Sequence, residues 1–251
     1  MATTYAIIQA RMSSTRLPGK ILKELIPGVS ALEYMLKRVS RCAELDNIIV
    51  ATTENPSDAA IVEKMKAIGQ PYFIGSENDV LDRYYKAALS AGAKEGDIIV
   101  RLTSDCPLHD PAVIDEVVRF FKSGDYDYAE NAIEPYTYPD GMDTEVFSFD
   151  ALLRAWKEAT KPSHREHVTF HFWTNPKIFK LGHYKNPKKG QAEYRLTLDY
   201  PSDYQLLRKV AEHFAPRMDF TMDEIIEFLD AHPELKSLNK DVMRNAAHQT
   251  A

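Results

Sequence analysis

The chain has 251 residues, with 31 Lys and Arg against 37 Asp and Glu, for a formal net charge of -6. With 44% hydrophobic and 27% charged residues it reads as an ordinary soluble globular chain, long enough to bury a core without staples. The acidic balance argues against a general nucleic-acid binder, which needs clustered positive charge. Two cysteines, Cys42 and Cys106, are too few for a disulfide framework or a zinc ribbon and fit a reducing cytoplasm. Met1 to Thr4 leads straight into Tyr5-Ala-Ile-Ile8, so no secretory signal is expected. No run of about 18 apolar residues predicts a membrane span. A cytoplasmic protein without a nucleic-acid or membrane partner is the expectation.

Tyr5 to Ala10 reads as a buried strand. Ser30-Ala-Leu-Glu33 has the spacing of a capping box, and Leu32, Met35, Leu36 and Val39 form one helical face behind it. Asn47 to Ala51 is a second strand. A helix follows from near Pro56, with Ile61, Val62, Met65 and Ile68 on one side and Gly69 as its stop. Pro71 to Ile74 is a third strand, and Val80, Leu81, Tyr84, Tyr85 and Ala88 a further helical stripe. Asp97 to Leu102 is the fourth strand, and Asp110-Pro111 opens the next helix with Asp at N-cap and Pro at N1. Strand–helix alternation of this kind predicts an α/β fold with a mostly parallel sheet between helical layers. Ligands in such sheets lie at the carboxyl ends of the strands.

The pattern changes near residue 124. Tyr126 to Glu130 and Thr144 to Ser148 alternate as strands do, separated by the turn-rich stretch 134–141. Ser148 starts a helix, and a second helix is expected from Ser163 to Trp173. Ile178–Tyr184 and Tyr194–Leu198 read as strands. Ser202 and Thr221 are expected to cap two last helices, Thr221-Met-Asp-Glu224 being another capping box. The polar tail from Asn239 to Ala251 is expected to fray. We read 1–251 as one domain, with 125–190 as a small lobe inserted on the sheet.

Ala10 to Lys20 follows the first strand directly. Arg11, Arg16 and Lys20 put three cations in ten residues, Ser13, Ser14 and Thr15 add hydroxyls, and Gly19 permits close backbone approach. Fixed positive charge, small donors and little bulk suit a polyphosphate. The spacing is neither a Walker A loop nor a Gly-x-Gly-x-x-Gly turn.

Ile7-Ile-Gln-Ala-Arg-Met-Ser-Ser-Thr-Arg-Leu-Pro-Gly-Lys20 resembles the signature of the cytidylyltransferases that include CMP-KDO and CMP-sialate synthetases, above all the branch of spore coat polysaccharide biosynthesis protein F. The likeness continues in residues 74–85, 101–111 and 138–143, in Arg165-Glu-His167, and in Leu198 to Asp203, so it spans residues 5 to about 215. Ser13 and Ser104 stand where this branch commonly has Gly. The resemblance implies a Rossmann-like, GT-A-like nucleotidyltransferase fold in three layers. It implies transfer from CTP to an acidic sugar, giving a CMP-sugar and pyrophosphate with magnesium, and a homodimer built through the inserted lobe. It implies Arg11, Ser14, Arg16 and Lys20 around the triphosphate.

Asp105 stands beyond the fourth strand and Asp199 beyond Arg195–Leu198, both placed to reach one strand-end cleft. Magnesium commonly takes one or two carboxylates plus phosphate oxygens. We therefore read Asp105 and Asp199 as its ligands and Asp105, Arg11, Arg16 and Lys20 as the catalytic set; Asp199 also has a place as a helix cap. Arg83 reads either as a nucleotide contact or as an i,i+4 partner of Asp79. Thr103 and Ser104 either meet the nucleotide or close the turn. Asp143, in a Pro-Asp-Gly turn region, either lines a sugar pocket or belongs to a plain aromatic-packed turn, and the resemblance implies the sugar contact; Arg165 and His167 either meet a sugar carboxylate or belong to a purely structural, hydrogen-bonded helix. His164, His167 and His171 share one face of the expected helix, but the His-Glu-x-x-His pattern of zinc enzymes is absent. A sugar-nucleotide-dependent glycosyltransferase is the rival reading, though Ser104-Asp105-Cys106 lacks its Asp-x-Asp. A nucleotide-binding module without chemistry is the other.

Overall fold

Tyr5, Ala6, Ile7 and Ile8 are all buried, as a strand covered on both faces requires. In the computed structural model, which describes residues 2–242 and Arg244, they form β1 (Thr4–Gln9) at the middle of the sheet. A hairpin of β2 (Glu24–Ile26) and β3 (Val29–Ser30) leads into α1 (Ala31–Val39). Then come β4 (Asn47–Thr53), α2 (Ala59–Ile68), β5 (Tyr72–Gly75), α3 (Val80–Ser90), β6 (Ile98–Thr103) and α4 (Pro111–Ser123). The second half adds β7 (Tyr128–Glu130), β8 (Glu145–Ser148), α5 (Phe149–Glu158), α6 (Pro162–Glu166), α7 (Phe170–Trp173) and β9 (Leu181–His183). It closes with α8 (Pro201–Phe214), α9 (Met222–Ala231) and the short α10 (Pro233–Lys236).

The sheet has seven strands in the order β5-β4-β1-β6-β8-β7-β9. Only β8 runs against its neighbours. Side chains alternate along β1. Tyr5 and Ile7 pack with Ile49, Ala51 and Ile99 beneath α3 and α5. Ala6 and Ile8 pack on the other face with α1, α2 and α4. This is the expected three-layer arrangement. The segment 125–190 gives β7, β8 and β9 to the same sheet. A third core cluster joins Tyr138, Met142, Tyr194, Leu196 and Leu198 to α8 and α9.

Several caps form as the sequence implies. Asp110 accepts from the Ala112 amide at 2.9 Å, and Gly69 ends α2 at φ 69°. At Ser30 only half of the capping box forms, because the Glu33 carboxylate turns to Lys37 and Lys64. Three expectations are corrected. The helix expected over 163–173 breaks into α6 and α7 at Val168, whose φ of 45° is foreign to a helix. The three histidines therefore do not share one helical face. His164 and His171 instead meet across the break, Nδ1 to Nδ1, at 3.0 Å. Tyr194–Leu198 is not a sheet strand, its one β-pairing among the described residues being an isolated bridge, Arg195 to Asp140. Finally, Tyr200 rather than Ser202 is the N-cap of α8, with Pro201 at N1. There the Asp203 carboxylate takes the Asp199 and Tyr200 amides at 3.0 and 2.9 Å. Of the polar tail, residues 243 and 245–251 lie outside the described residues. Among the described residues no helix is long and apolar enough to cross a membrane.

Candidate active site

Parallel pairing brings the carboxyl ends of β1 and β6 level, Gln9 opposite Thr103, and sets Gln9 beside Ala51 of β4. The loop after β1 thus starts at the centre of the strand-end edge. Its entry is fixed by Asp58, which is 1% exposed and accepts from the Met12 amide at 2.7 Å and from the Thr53 hydroxyl at 2.5 Å. Within the loop, Ser14 Oγ accepts from the Leu17 amide at 3.3 Å, so this hydroxyl shapes the turn. Gly19 sits at φ 65°, and a Cβ there would press on Met12 Cε at 3.3 Å. That turn sends Lys20 inward while Arg11 and Arg16 remain exposed.

Lys20 Nζ donates to Asp105 Oδ2 at 3.0 Å and to Asp199 Oδ1 at 2.9 Å. Arg16 adds a second cation on Asp199 Oδ1 at 3.1 Å and donates to the Tyr200 hydroxyl at 3.2 Å. Residues 85 and 179 positions away from Lys20 thus meet at one ammonium. Burial pushes the Asp105 carboxyl up, but Lys20 and the Thr103 hydroxyl pull harder and leave it at about 2. Burial likewise opposes the charge on Lys20, yet the two carboxylates hold its pKa above the ordinary lysine value. Backbone contacts lock the geometry, since Asp105 O accepts from the Leu198 amide at 2.7 Å and the Thr197 hydroxyl at 3.2 Å.

Sequence reasoning missed the groups behind Asp199. Arg195 binds Asp199 Oδ2 at 3.1 Å, Asp140 Oδ2 at 2.6 Å and Asp203 Oδ1 at 3.0 Å. Asp203 is fully buried and fixed by Asn239 as well. Gly141 lets the Asp140 turn lie against this segment, for at φ 103° a Cβ would come within 2.6 Å of the Leu196 carbonyl carbon. On the far side, Arg244 lies 3.8 Å from Asp140 and pairs with Asp143. Burial pushes Asp143 up to about 7 against the pull of Arg244. Alternating charges thus run from Lys20 through Asp199, Arg195, Asp140 and Arg244 to Asp143. The signal for this in the sequence is slight: Arg195, Asp199 and Asp203 stand four residues apart.

The remaining candidates are placed as follows. Thr103 and Ser104 lie at the end of β6, with the Ser104 amide on Gln9 O at 3.1 Å. Arg83 is 3% exposed and donates to the carbonyls of Ser76 and Glu77, bracing the loop after β5. It does not pair with the Asp79 carboxylate, because Arg165 does so at 2.8 and 2.6 Å. Arg165 also donates to Trp156 O at 2.8 Å, so its guanidinium is engaged inside the protein. His167 stands at the corner between α6 and α7, 5.8 Å from the Phe170 ring. Cys106 is buried, and burial raises its thiol pKa well above the usual range, which removes it as a nucleophile.

A cytidylyltransferase family model matches residues 5–227. The chain belongs to the cytidylyltransferase family. This member is 32% identical to spore coat polysaccharide biosynthesis protein SpsF of Bacillus subtilis, over 91% of this chain and 94% of SpsF. It is 33% identical to 3-deoxy-manno-octulosonate cytidylyltransferase of Nitratidesulfovibrio vulgaris, over 47% of this chain and 46% of that enzyme. A solved cytidylyltransferase from Leptospira borgpetersenii superposes with a TM-score of 0.86 at 34% identity, over 94% of this chain and 97% of the other. The mostly parallel seven-stranded sheet is thus that of a Rossmann-like nucleotidyltransferase fold.

Two expected results test the placement of side chains in this cytidylyltransferase. Arg16→Ala removes an arginine whose side chain is 36% exposed, so the melting temperature should move little. CTP affinity, read by calorimetry, should fall roughly tenfold or more. For Arg165, a double-mutant cycle with Asp79→Ala should give a coupling of about 1–2 kcal/mol in denaturation experiments. Zero coupling would show that Arg165 does not act through Asp79.

Proposed function

We propose that this cytidylyltransferase transfers CMP from CTP to a hydroxyl of a sugar acid and releases pyrophosphate. The convergence of Lys20, Arg16, Asp105 and Asp199 at the strand ends carries the reading. The partial likeness to a 3-deoxy-manno-octulosonate cytidylyltransferase supports the sugar acid, and the likeness to SpsF supports a place in surface polysaccharide synthesis.

Magnesium is the cofactor we assign, held by Asp105 and Asp199. The residues fit it, because two carboxylates converge on one internal ammonium and offer hard oxygen donors. Among the described residues no three His, Cys, Asp or Glu side chains form a full cage. Magnesium needs none where phosphate oxygens complete its shell. When bound, it supplies neutralisation of phosphate charge and polarisation of the phosphorus under attack.

The protein's own groups do the rest. Arg11, Arg16 and Lys20 hold the phosphate oxygens and stabilise the charge on the departing pyrophosphate. Arg195 and Asp203 keep the Asp199 carboxylate aimed at the cleft. The acceptor hydroxyl forms the new P–O bond as the α–β phosphoanhydride bond breaks and its own proton passes to solvent, with positioning and charge supplying the rate. Thr103 and Ser104 line the nucleotide side, and Arg83 braces the loop after β5. Asp143 and His167 serve the acceptor, and Arg165 braces that side through Asp79. Exposed Ile133, Trp173 and Ile178 in the 125–190 segment support a homodimer, and the need for CTP supports a cytoplasmic setting.

The test is direct. The protein is incubated with magnesium, each of the four nucleoside triphosphates and a panel of sugar acids, and pyrophosphate is measured. Release that needs both CTP and one sugar acid is expected. Equal release with every triphosphate, or release indifferent to the acceptor, would sink the reading.

A further inference from the structure

Lys20 is held more tightly than a phosphate-binding lysine needs to be. Its ammonium lies 3.0 Å from Asp105 Oδ2 and 2.9 Å from Asp199 Oδ1, and its side chain is 11% exposed. Both partners are the carboxylates to which we assign the metal. Two carboxylates this close repel each other unless a cation stands between them. In the nucleotide-free protein Lys20 is that cation. Arg16 touches the same Asp199 oxygen from the more exposed side, at 3.1 Å. Arg195 takes the other oxygen of Asp199 and is itself fixed by Asp140 and Asp203, so it has no need to move.

A magnesium ion binds oxygen directly, at about 2.0–2.1 Å, and gives up its own waters reluctantly. It cannot use the oxygens that Lys20 holds while the ammonium stays within hydrogen-bond distance of them. An incoming triphosphate changes this, because it offers Lys20 a denser set of anionic oxygens beside Arg11 and Arg16. We propose that Lys20 is an internal counter-ion which closes the metal carboxylates until a triphosphate draws it away, so that the metal binds only together with the nucleotide. The inference rests on the assignment of Asp105 and Asp199 to the metal. It adds to Lys20 a second task, setting the order in which the two ligands arrive.

The consequence is a pair of effects with opposite signs. Mn2+ serves as the probe, its free-ion electron paramagnetic resonance signal being titrated with the whole protein. Lys20→Met should tighten nucleotide-free Mn2+ binding at least about tenfold, while weakening CTP binding at least about tenfold. A residue that only contacts phosphate would change the second and leave the first alone. A residue that only supports the fold would weaken both. Lys20→Gln keeps an uncharged donor on a side chain one atom shorter, and serves should the Met variant unfold; it should shift Mn2+ in the same direction. Lys20→Arg keeps the charge and should bind nucleotide-free Mn2+ as weakly as the wild type. Unchanged or weaker Mn2+ binding in both neutral variants overturns the proposal and leaves the metal assignment standing. A different result would remove that assignment, and this inference with it: Asp105→Asn holding Mn2+ in the presence of CTP as tightly as the wild type, after correction for the Mn2+–CTP complex in solution.

Discussion

Asp105→Asn should lower turnover by roughly a hundredfold or more while the protein stays folded. The loss follows from charge. An amide is a poor ligand for magnesium, and it no longer opposes the charge of Lys20 at the centre of the site. The fold should survive because the position is held by its backbone. The Leu198 amide and the Thr197 hydroxyl both bond to Asp105 O, which the substitution leaves in place. The pair with Lys20 has a second carboxylate in Asp199, so the ammonium is not stranded. Pyrophosphate release under saturating CTP reads the first effect and a melting curve the second. Turnover within tenfold of the wild type would remove Asp105 from the reaction. A collapse of the melting temperature would instead make it a structural residue.

The loop from Arg11 to Lys20 was legible because its chemistry is local: three cations, three hydroxyls and a glycine fall within one turn-rich stretch after an apolar run. Asp105 and Asp199 were legible only as residues past strand-like segments. Arg195–Leu198 is not a sheet strand, yet its extended path delivers Asp199 to the same cleft. What stayed hidden is long-range charge pairing. Arg165 looked free for a sugar carboxylate because its partner, Asp79, lies 86 residues away. Asp58, which stands between β4 and α2, anchors the Arg11–Lys20 loop through the Met12 amide, 46 residues away. The break at Val168 carried no signal either, since apolar spacing continues through it and a valine gives no hint of positive φ. The start of α8 was readable. Asp-Tyr-Pro places Pro at N1, a stronger mark than a Ser two residues later.

Arg38→Met should cost the fold about 3–5 kcal/mol, a fall in melting temperature on the order of 10 °C. Arg38 is fully buried on α1, and every nitrogen of its guanidinium has a carbonyl partner. Nε donates to His109 O at 3.1 Å, Nη1 to Met218 O at 3.0 Å and Nη2 to Phe220 O at 2.9 Å. The plane also stacks on the Phe220 ring at 3.8 Å. Burial pulls its pKa down to about 10, which still leaves it charged at neutral pH. Methionine fills much of the volume but satisfies none of the three carbonyls, and each buried acceptor then bears its own desolvation cost. Asp110 works at the same junction, accepting from the Met222 amide at 2.5 Å. Together the two residues tie the start of α9 to the segment that carries Asp105. The damage should therefore appear in stability first, with turnover of the folded fraction at low temperature within a few-fold of the wild type. Chemical denaturation followed by circular dichroism measures it. A loss below about 1 kcal/mol would mean that solvent or repacking satisfies those carbonyls and that the guanidinium is not what fastens the two halves.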